Sequence, residues 1–308
     1  MGTRYANRKT KMINFFKADN ASWDDITISG ISFIIAGLFA IICVTPFIYV
    51  IKYSITPYEE YLQNPFSLIL KNPTLNAYKM AMDYRYIWTG YKNTLFIALI
   101  GTICSMALLV MTAYPLTKRN LKGRKMIMVL WIITMFFGGG MIPNYFLIRN
   151  LGLLNNLWSI ILPSLLGTYN LILMINYISG LPTSIEEAAL IDGANDVQTL
   201  FKIILPLCLP ILATLGLFTV VGYWNTYFTA IIYLTKRDKW PLQLVLREIV
   251  FESAAAEMQH GMAAEERITQ PFTLKMSSIV IATLPIMCVY PFLQKYFMTG
   301  LVLGGVKE

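Results

Sequence analysis

The segment 181–206 lies between two apolar stretches and carries polar residues at spacings that are typical of helix caps. Its pattern predicts a helix, a turn and a second helix. Ser184 can cap the first helix together with the glutamate three residues on, which is the spacing of a capping box. Gly193 can supply a positive φ where this helix stops, and Asn195 or Asp196 can cap the second helix. A slim, capped hairpin of this kind is suited to docking into a partner, although a simple connector would have the same pattern.

A second candidate set consists of neutral amide and aromatic side chains within or beside apolar stretches. Amide and hydroxyl groups can bind the hydroxyls of a sugar, and aromatic rings can stack on its apolar face. The same groups can pair with neighbouring helices instead, as polar side chains in membrane helices commonly do. For any one residue packing is the simpler interpretation, whereas for the group together both interpretations remain open. Its members are Tyr169, Asn170, Asn176, Tyr223, Trp224 and Asn225.

Sequence patterns of enzymes and metal sites are absent. The four cysteines lie in or beside different apolar stretches without CxxC spacing, and buried cysteine usually behaves as a small hydrophobe. His260 is the single histidine, on a predicted helix where a solvated role is expected. There is no GxxxxGK[ST] phosphate loop, HExxH, GxSxG or EF-hand pattern. We therefore expect a chain that is not an enzyme and holds no cofactor or metal of its own.

Apolar spans must position these groups. Of the 308 residues, 56% are hydrophobic and 14% charged, with a mean hydropathy of +0.57, whereas soluble domains have about 25% charged residues. A helix needs roughly 20 apolar residues to cross a bilayer core. Six stretches of that length lack Asp, Glu, Lys, Arg and His. The expected fold is an all-α polytopic membrane protein with six transmembrane helices, at about 30–51, 93–114, 126–148, 156–180, 203–224 and 276–294.

Lysine and arginine in short loops predict the orientation, because such loops carry an excess of them on the cytoplasmic side. Loop 117–125 holds five basic residues and no acidic one, and the basic N-terminal tail 1–29 falls on the same side. Both termini, including the tail 299–308, and the segment 181–206 are therefore predicted to be cytoplasmic. The net charge of +8 indicates topology rather than nucleic-acid binding.

Two long segments, 52–92 and 225–275, would then lie outside the cell. The first combines prolines with many aromatic residues and predicts short helices at the level of the lipid headgroups. The second contains a helix-favouring run over 242–266 that is rich in alanine and glutamate. Packing and membrane anchoring are the simpler interpretation of both segments, and docking of an external partner is the alternative.

The segment 181–206 resembles the EAA loop of ATP-binding-cassette (ABC) importer permeases. Several motifs extend the resemblance over nearly the whole chain, to the carbohydrate-uptake (MalG-type) family and its LplC- or YtcP-like branch, which is linked to complex oligosaccharides. In the loop they are Glu187-Ala188-Ala189, Asp192-Gly193-Ala194, Phe201, Ile203 and Leu205-Pro206. Elsewhere they are Asn93-Thr94-Leu95, Ala113-Tyr114-Pro115-Leu116, Trp224-Asn225, the runs 136–143 and 290–297, and the tail 294–307.

This resemblance implies a MalG-like type I importer permease fold over 30–298, in the cytoplasmic membrane of a bacterium. It implies a second homologous permease subunit, two ATPase subunits or domains that bind ATP and Mg, and an extracellular solute-binding protein. The first helix of the loop would be the coupling helix, seated in a cleft of an ATPase, and the tail 301–308 would enter the ATPase interface. The implied coupling residues are Glu186, Glu187, Ala188, Ala189, Asp192, Gly193, Ala194, Leu205 and Pro206.

The expected function is import of an oligosaccharide, driven by ATP hydrolysis on the partner subunits. One alternative is an ATP-independent secondary carrier or facilitator for a neutral solute, which would have no use for a coupling loop. Ion-coupled carriers also place ionisable groups at membrane depth, and none of the six stretches has one. A further alternative is an intramembrane enzyme or assembly scaffold; the sequence shows no catalytic set in or beside the spans.

Overall fold

The computed structural model describes residues 23–63, 70–259 and 272–288, and within these ranges the regular elements are all helical. The chain divides into two compact units, Met1–Lys52 and Tyr53–Glu308. Most of the described part of the first unit belongs to helix α1, Trp23–Ser54. From Thr27 onward α1 is long and apolar enough to cross a membrane, and its most apolar window is fully exposed. Such a continuous apolar surface is typical of a helix that meets lipid or another helix.

The second unit is organised around the long helix α4, Arg85–Thr117. Two short helices precede it, α2 (Tyr58–Gln63) and α3 (Asn76–Asp83). The helices after it are α5 (Arg124–Phe136), α6 (Met141–Asn150), α7 (Trp158–Ile161), α8 (Thr168–Ser179), α9 (Thr183–Ile191), α10 (Asp196–Thr199), α11 (Leu205–Leu207), α12 (Leu209–Trp224), α13 (Phe228–Tyr233), α14 (Leu242–Gln259) and α15 (Phe272–Cys288). Short 3₁₀ turns at Leu162–Ser164 and Arg237–Lys239 and a π-helix at Leu200–Ile204 complete the described elements.

The predicted spans differ in how continuous they are. Helices α1 and α4 can each cross a membrane by length and composition, whereas the stretches predicted as spans three to five are each broken into two helices. The bends are 113° between α5 and α6, 47° before α8 and 77° before α12, and counting each bent pair as one span gives up to five. The stretch 276–294 contains most of α15, a shorter apolar helix, and its residues from 289 onward lie outside the described part.

Glycine or proline lies at each of the three breaks, which the sequence analysis did not predict. The bend between α5 and α6 follows three successive glycines, and Gly140 has a φ of +84°, a conformation that residues with a side chain rarely adopt. Pro163 and Gly167 lie at the second break, and Pro206 and Pro210 lie at the third. Each of these prolines lies in the first turn of the segment that follows, where it is tolerated, but it cannot donate the hydrogen bond that would continue the preceding helix. A lack of charge predicts an apolar environment, but it does not predict helix continuity.

Helix α4 forms the centre of the second unit, and α8, α12 and α14 pack against it. Near its C-terminal end, Ala113 is buried in a core shared with Leu171 of α8 and Ile204 of the π-helix. Near its N-terminal end, a Cβ added to Gly90 would lie 3.0 Å from the Leu242 Cα. A side chain at position 90 would therefore push α14 away from α4.

Candidate coupling hairpin and transport cavity

Residues 183–199, called the hairpin below, form the predicted helix, turn and helix. The turn is a Schellman motif: the Gly193 N–H donates to the Leu190 carbonyl over 3.1 Å, and the Ala194 N–H donates to the Ala189 carbonyl over 2.9 Å. Gly193 has the predicted positive φ, +79°. A Cβ added there would meet nothing within 4 Å. A side chain at this position would strain the backbone without clashing within the chain.

The N-termini of the two hairpin helices are capped differently. Asn195 caps α10 through a capping box, because its Oδ1 accepts from the Gln198 N–H over 2.8 Å while the Gln198 Oε1 accepts from the Asn195 N–H over 3.1 Å. The capping box predicted for α9 was wrong. Pro182, with a ψ of 128°, precedes the first helical residue, and Ser184 lies within the first turn, where it caps nothing. Glu187 therefore has no capping role.

One face of α9 points away from the protein. Ala189 is buried, whereas Glu187, Ala188, Leu190 and Ile191 are exposed, Ile191 by 86%. Apolar side chains that are exposed together mark an interaction surface, and the small Ala188 permits a close approach. Two more exposed apolar side chains follow along the chain, Val197 and Phe201.

The remaining predicted coupling residues lie at the edges of this surface. Asp192 is the exposed C-cap residue of α9, and its N–H donates to the Ala188 carbonyl over 3.0 Å. Leu205 packs against the core that α4 shares with α8, and Pro206 is exposed within α11. Gly193 and Pro206 therefore shape the chain, whereas the α9 face is an exposed, partly apolar surface.

Lys118 belongs to this site and was missed by the sequence analysis. It is the C-cap residue of α4, and its Nζ lies 2.7 Å from the Glu186 Oε2. From the sequence alone, Lys118 was only one of the five basic residues of loop 117–125 that indicate topology. No spacing rule connects two residues that are 68 positions apart, so the sequence carried no signal for this pair.

A π-helix connects the hairpin to α12. Residues 200–204 form this turn, and the chain bends by 77° between α11 and α12. The Tyr177 hydroxyl of α8 donates to the Leu207 carbonyl, next to this bend, over 3.2 Å. Single π turns inside α-helices often occur at functional sites. The hairpin thus meets α12 through an irregular joint and not through a straight helix.

A cavity of about 320 Å³ lies between α4, the break before α8 and the C-terminal half of α12. Its volume is within the range of small-ligand sites. The side chains that line it are neutral, and their hydroxyl and amide groups can both donate and accept hydrogen bonds. The polar lining residues are Ser105, Ser164, Asn170, Thr219, Tyr223 and Thr226.

Tyr223 forms a wall of this cavity. Its hydroxyl lies 3.4 Å from the Ser105 Oγ and 3.4 Å from the Ile161 carbonyl oxygen. Its ring lies against Gly101 of α4, where an added Cβ would be 2.7 Å from the ring. Because Cβ atoms do not approach that closely, the present position of the ring requires glycine at 101.

The structure brings two of the six predicted sugar-contact residues, Asn170 and Tyr223, to the cavity. Trp224 lies elsewhere: it is buried in the core that α4 shares with α14, and its ring centroid is 6.2 Å from that of Tyr91. For Trp224 the geometry favours the packing interpretation. The sequence identified the aromatic pair but not that its two members face different sides of α12.

The other three predicted sugar-contact residues are exposed and do not line the cavity. Tyr169 and Asn176 lie on α8, and Asn225 is the C-cap residue of α12, with its Nδ2 donating to the Val221 carbonyl over 3.0 Å. They could meet a substrate only outside the cavity.

The opposite end of α4 holds residues 225–241, called the upper segment below. The Asn93 Nδ2 donates to two backbone carbonyls of this segment over 2.9 Å each. The Thr94 Oγ1, which is fully buried, accepts from the Leu242 N–H over 2.8 Å. The sequence motif that was expected to open a span therefore also fixes the segment that precedes α14.

Two further side chains fix the upper segment. Asn155 has a φ of +58°, and its Oδ1 accepts from the Thr235 N–H, the Thr235 Oγ1 and the Lys236 N–H over 2.8, 2.9 and 2.9 Å. The Arg237 Nε donates to the Glu248 Oε2 of α14 over 3.0 Å. The upper segment is therefore tied to three neighbouring parts of the chain.

Some predicted features lie outside the described residues, namely His260, the motifs at 290–297 and 294–307, the C-terminal tail and residues 1–22 of the N-terminal tail. Within the described ranges, no group of three or more His, Cys, Asp or Glu residues could hold a metal ion. The run predicted as helical over 242–266 is helical through Gln259, the last residue described before the gap.

Comparisons with known proteins agree on the family. Residues 21–301 match the family described as "Binding-protein-dependent transport system inner membrane component". The polygalacturonan/rhamnogalacturonan transport system permease protein YtcP of Bacillus subtilis is 44% identical over 275 residues, which cover 88% of this chain and 94% of that protein. Protein LplC of the same organism is 40% identical over 266 residues, covering 86% and 90%.

Solved structures show the same fold. A chain from a bacterial ABC transporter involved in the import of the acidic polysaccharide alginate superposes with a TM-score of 0.81 at 32% identity, covering 90% of this chain and 99% of that one. A chain from the alginate transporter in complex with an alginate pentasaccharide-bound periplasmic protein gives 0.57 at 15% identity, covering 88% and 95%, which supports the fold alone. The predicted resemblance is confirmed: this chain belongs to the inner-membrane components of binding-protein-dependent transport systems, the permease subunits of ABC importers.

Proposed function

We propose that this permease imports an oligosaccharide released from a complex polysaccharide, with ATP and Mg bound by partner ATPases. The hairpin carries the proposal, because an outward apolar face bounded by a Schellman turn at Gly193 is a shape that a partner cleft can hold. The names of the relatives, which concern polygalacturonan, rhamnogalacturonan and alginate, support the substrate class. The ATP-independent carrier finds no support among them.

The proposed topology has six spans within 30–298 and places the tails 1–29 and 299–308 in the cytoplasm of a bacterial cell. Helix α4 supports this arrangement. It rises about 36 Å between Thr94 and Lys118 at 1.5 Å per residue and has no charged residue between them. That length exceeds the hydrocarbon core of about 30 Å. The upper segment at one end and the hairpin at the other would therefore lie on opposite sides of the membrane.

The proposed coupling path starts at the exposed face of α9. Glu187 provides a charged contact to the ATPase, Ala188 allows its close approach, and Gly193 keeps the two hairpin helices at the angle that fits the cleft. Closure of the ATPases would displace α9. The displacement would reach α12 through the π-helix, and α12 carries Thr219 and Tyr223 of the cavity wall. Access to the cavity would change with it.

The proposed sugar contacts are the neutral polar groups of the cavity. The Asn170 amide can both donate to and accept from a sugar hydroxyl, and the Tyr223 hydroxyl can do the same. Tyr169, Asn176 and Asn225 lie outside this cavity and are candidates for contacts further along the path. Trp224 is assigned to packing.

The proposed complex contains a second, homologous permease, two ATPase subunits or domains and an extracellular solute-binding protein. The family description, which names dependence on a binding protein, supports the last of these. The second permease is supported by exposed apolar side chains at the bend between α5 and α6, where Phe136 and Phe137 are 72% and 77% exposed. A surface of that kind meets lipid or another membrane helix.

Uptake by the complete complex in proteoliposomes tests this function, with a labelled oligogalacturonide as the probe. Transport should need ATP on the hairpin side and the binding protein on the other side. Asn170→Ala should raise the half-saturating sugar concentration about three- to tenfold, because one hydrogen bond contributes about 0.5–1.5 kcal/mol. Its matched control is Asn150→Ala, at an exposed asparagine of α6 that does not line the cavity. Uptake without ATP would establish a carrier, and equal half-saturation of the two variants would exclude this cavity as the sugar site.

A further inference from the structure

The Lys118 side chain contacts both helices of the hairpin. Its Nζ lies 2.7 Å from the Glu186 Oε2 in the first turn of α9 and 3.9 Å from the Asp196 Oδ1 at the start of α10. It also lies 4.4 Å from the ring centroid of Tyr114, within the last turn of α4. One ammonium group thus joins the end of α4 to the two helices on either side of Gly193.

This ammonium group is held more firmly than a surface lysine. The side chains of Lys118 and Glu186 are 31% and 29% exposed, and partly buried pairs are screened by salt less than exposed ones. Partial burial lowers the pKa of Lys118, but the hydrogen bond and charge of Glu186 and the proximity of Tyr114 outweigh it and leave the pKa raised. The ion pair is therefore present throughout the neutral range.

Helix α4 connects this ion pair to the cavity. Leu109 of α4 lines the cavity, and about 13 Å of helix separates it from Lys118 at 1.5 Å per residue. Tyr114 is buried in the core that α4 shares with α8. A force applied at Lys118 would therefore act on the end of a helix that forms a wall of the cavity, with Pro115 in the last turn between the two sites.

We propose that Lys118 is a positioning residue for energy coupling. It holds the hairpin to the end of α4, so that displacement of α9 moves α4 directly as well as α12 through the continuous chain. The proposal rests on the coupling role proposed for the hairpin. Without Lys118 the hairpin would still fold and still dock, but it would move without carrying α4 along.

The neighbouring basic residues provide the control. Lys122 lies four positions further on in the same loop, is exposed, and changes the net charge equally when it is replaced. Arg124 is unsuitable, because its Nε donates to the Leu116 carbonyl over 2.6 Å and so shapes the loop itself. Lys118→Met and Lys122→Met therefore differ in the ion pair and not in overall charge.

The test measures sugar taken up per ATP hydrolysed by the complete complex in proteoliposomes. Lys118→Met should lower this ratio about three- to tenfold, the range expected for a coupled charge pair, and Lys122→Met should leave it unchanged. Lys118→Arg should restore most of the loss because it keeps the charge. In a Glu186→Gln background, Lys118→Met should have little further effect, which a role in general stability would not produce.

Gly193→Val, measured alongside, separates the two proposals. If Gly193→Val loses coupling while Lys118→Met matches Lys122→Met, the positioning role of Lys118 is excluded and the coupling hairpin stands. If Gly193→Val transports normally, the coupling role of the hairpin fails, and this proposal fails with it. Equal losses from Lys118→Met in the wild-type and Glu186→Gln backgrounds would also exclude the proposal.

Discussion

The two ends of α4 hold their neighbouring segments in different ways. The upper segment is fixed by directional hydrogen bonds from Asn93 and Asn155 and by the Arg237 pair with Glu248. The hairpin is joined to α4 through the charge of Lys118, and its outer face is exposed. Regions with fewer buried contacts open and move at lower cost. The upper segment therefore has the more fixed geometry, and the proposed movement during coupling falls on the hairpin.

The largest effect is expected at Gly193. Gly193→Val should abolish ATP-driven uptake, whereas Gly152→Val should be tolerated. Both glycines have a positive φ, +79° and +68°, and open space for a Cβ, so each substitution costs about 1–2 kcal/mol of backbone strain. Thermal unfolding should show this equal cost, and proteoliposome uptake should show the difference. Equal uptake by the two variants would mean that the hairpin is no more sensitive than an ordinary turn.

The next largest effect is expected at Glu187. Because Glu187 caps nothing, Glu187→Gln and Glu187→Ala should lower sugar-stimulated ATP hydrolysis alike, by about tenfold or more, as loss of a charged contact at an interface does. Hydrolysis by the reconstituted complex at low and high salt is the measurement. Near-normal activity of Glu187→Gln beside an inactive Glu187→Ala would show that side-chain shape, and not charge, makes the contact.

A smaller effect is expected at the joint before α12. Tyr177→Phe removes the donor to the Leu207 carbonyl, and we expect uptake to fall by about threefold, in line with about 0.5–1.5 kcal/mol for one hydrogen bond. Tyr227→Phe, at an exposed tyrosine that neither contacts this joint nor lines the cavity, is the matched control. Initial uptake rates would measure both. An unchanged rate for Tyr177→Phe would mean that this bond does not support the movement of the joint.

The smallest effect on coupling is expected at Asn155. Asn155→Ala removes an oxygen that accepts three hydrogen bonds, so it should lower the free energy of unfolding by about 1–3 kcal/mol while sugar uptake per ATP stays unchanged. Asn155→Asp, which keeps the acceptor, should be the milder variant. A changed uptake ratio at unchanged stability would show that the upper segment also moves during transport.

Local signals in the sequence predicted the hairpin well. Gly193 and Asn195 act on residues within a few positions, and both act as expected. The failed cap at Ser184 is also local, because Pro182 sets the start of α9 and leaves Ser184 inside the helix. Pro182 and Ser184 could each mark the start of α9, and the sequence did not indicate which of them does.

Local signals of this kind could not predict the tertiary contacts. Lys118 and Glu186 meet because α4 and the hairpin pack together, and Asn93 meets the upper segment across 145 and 147 positions. Hydropathy located apolar stretches but averaged over the breaks that glycine and proline introduce. Those breaks bring Asn170 and Tyr223 to one cavity while Trp224 faces a different core.

Gly101 sets the position of the Tyr223 ring without itself lining the proposed sugar cavity. The Tyr223 ring occupies the space that a Cβ at position 101 would need. The width of the cavity therefore depends on Gly101, which lies behind this ring. Alanine at 101 would shift the ring while leaving every group that lines the cavity chemically unchanged. In the proposed sugar site, the size of the substrate would therefore depend on position 101, and its chemistry on the groups that line the cavity.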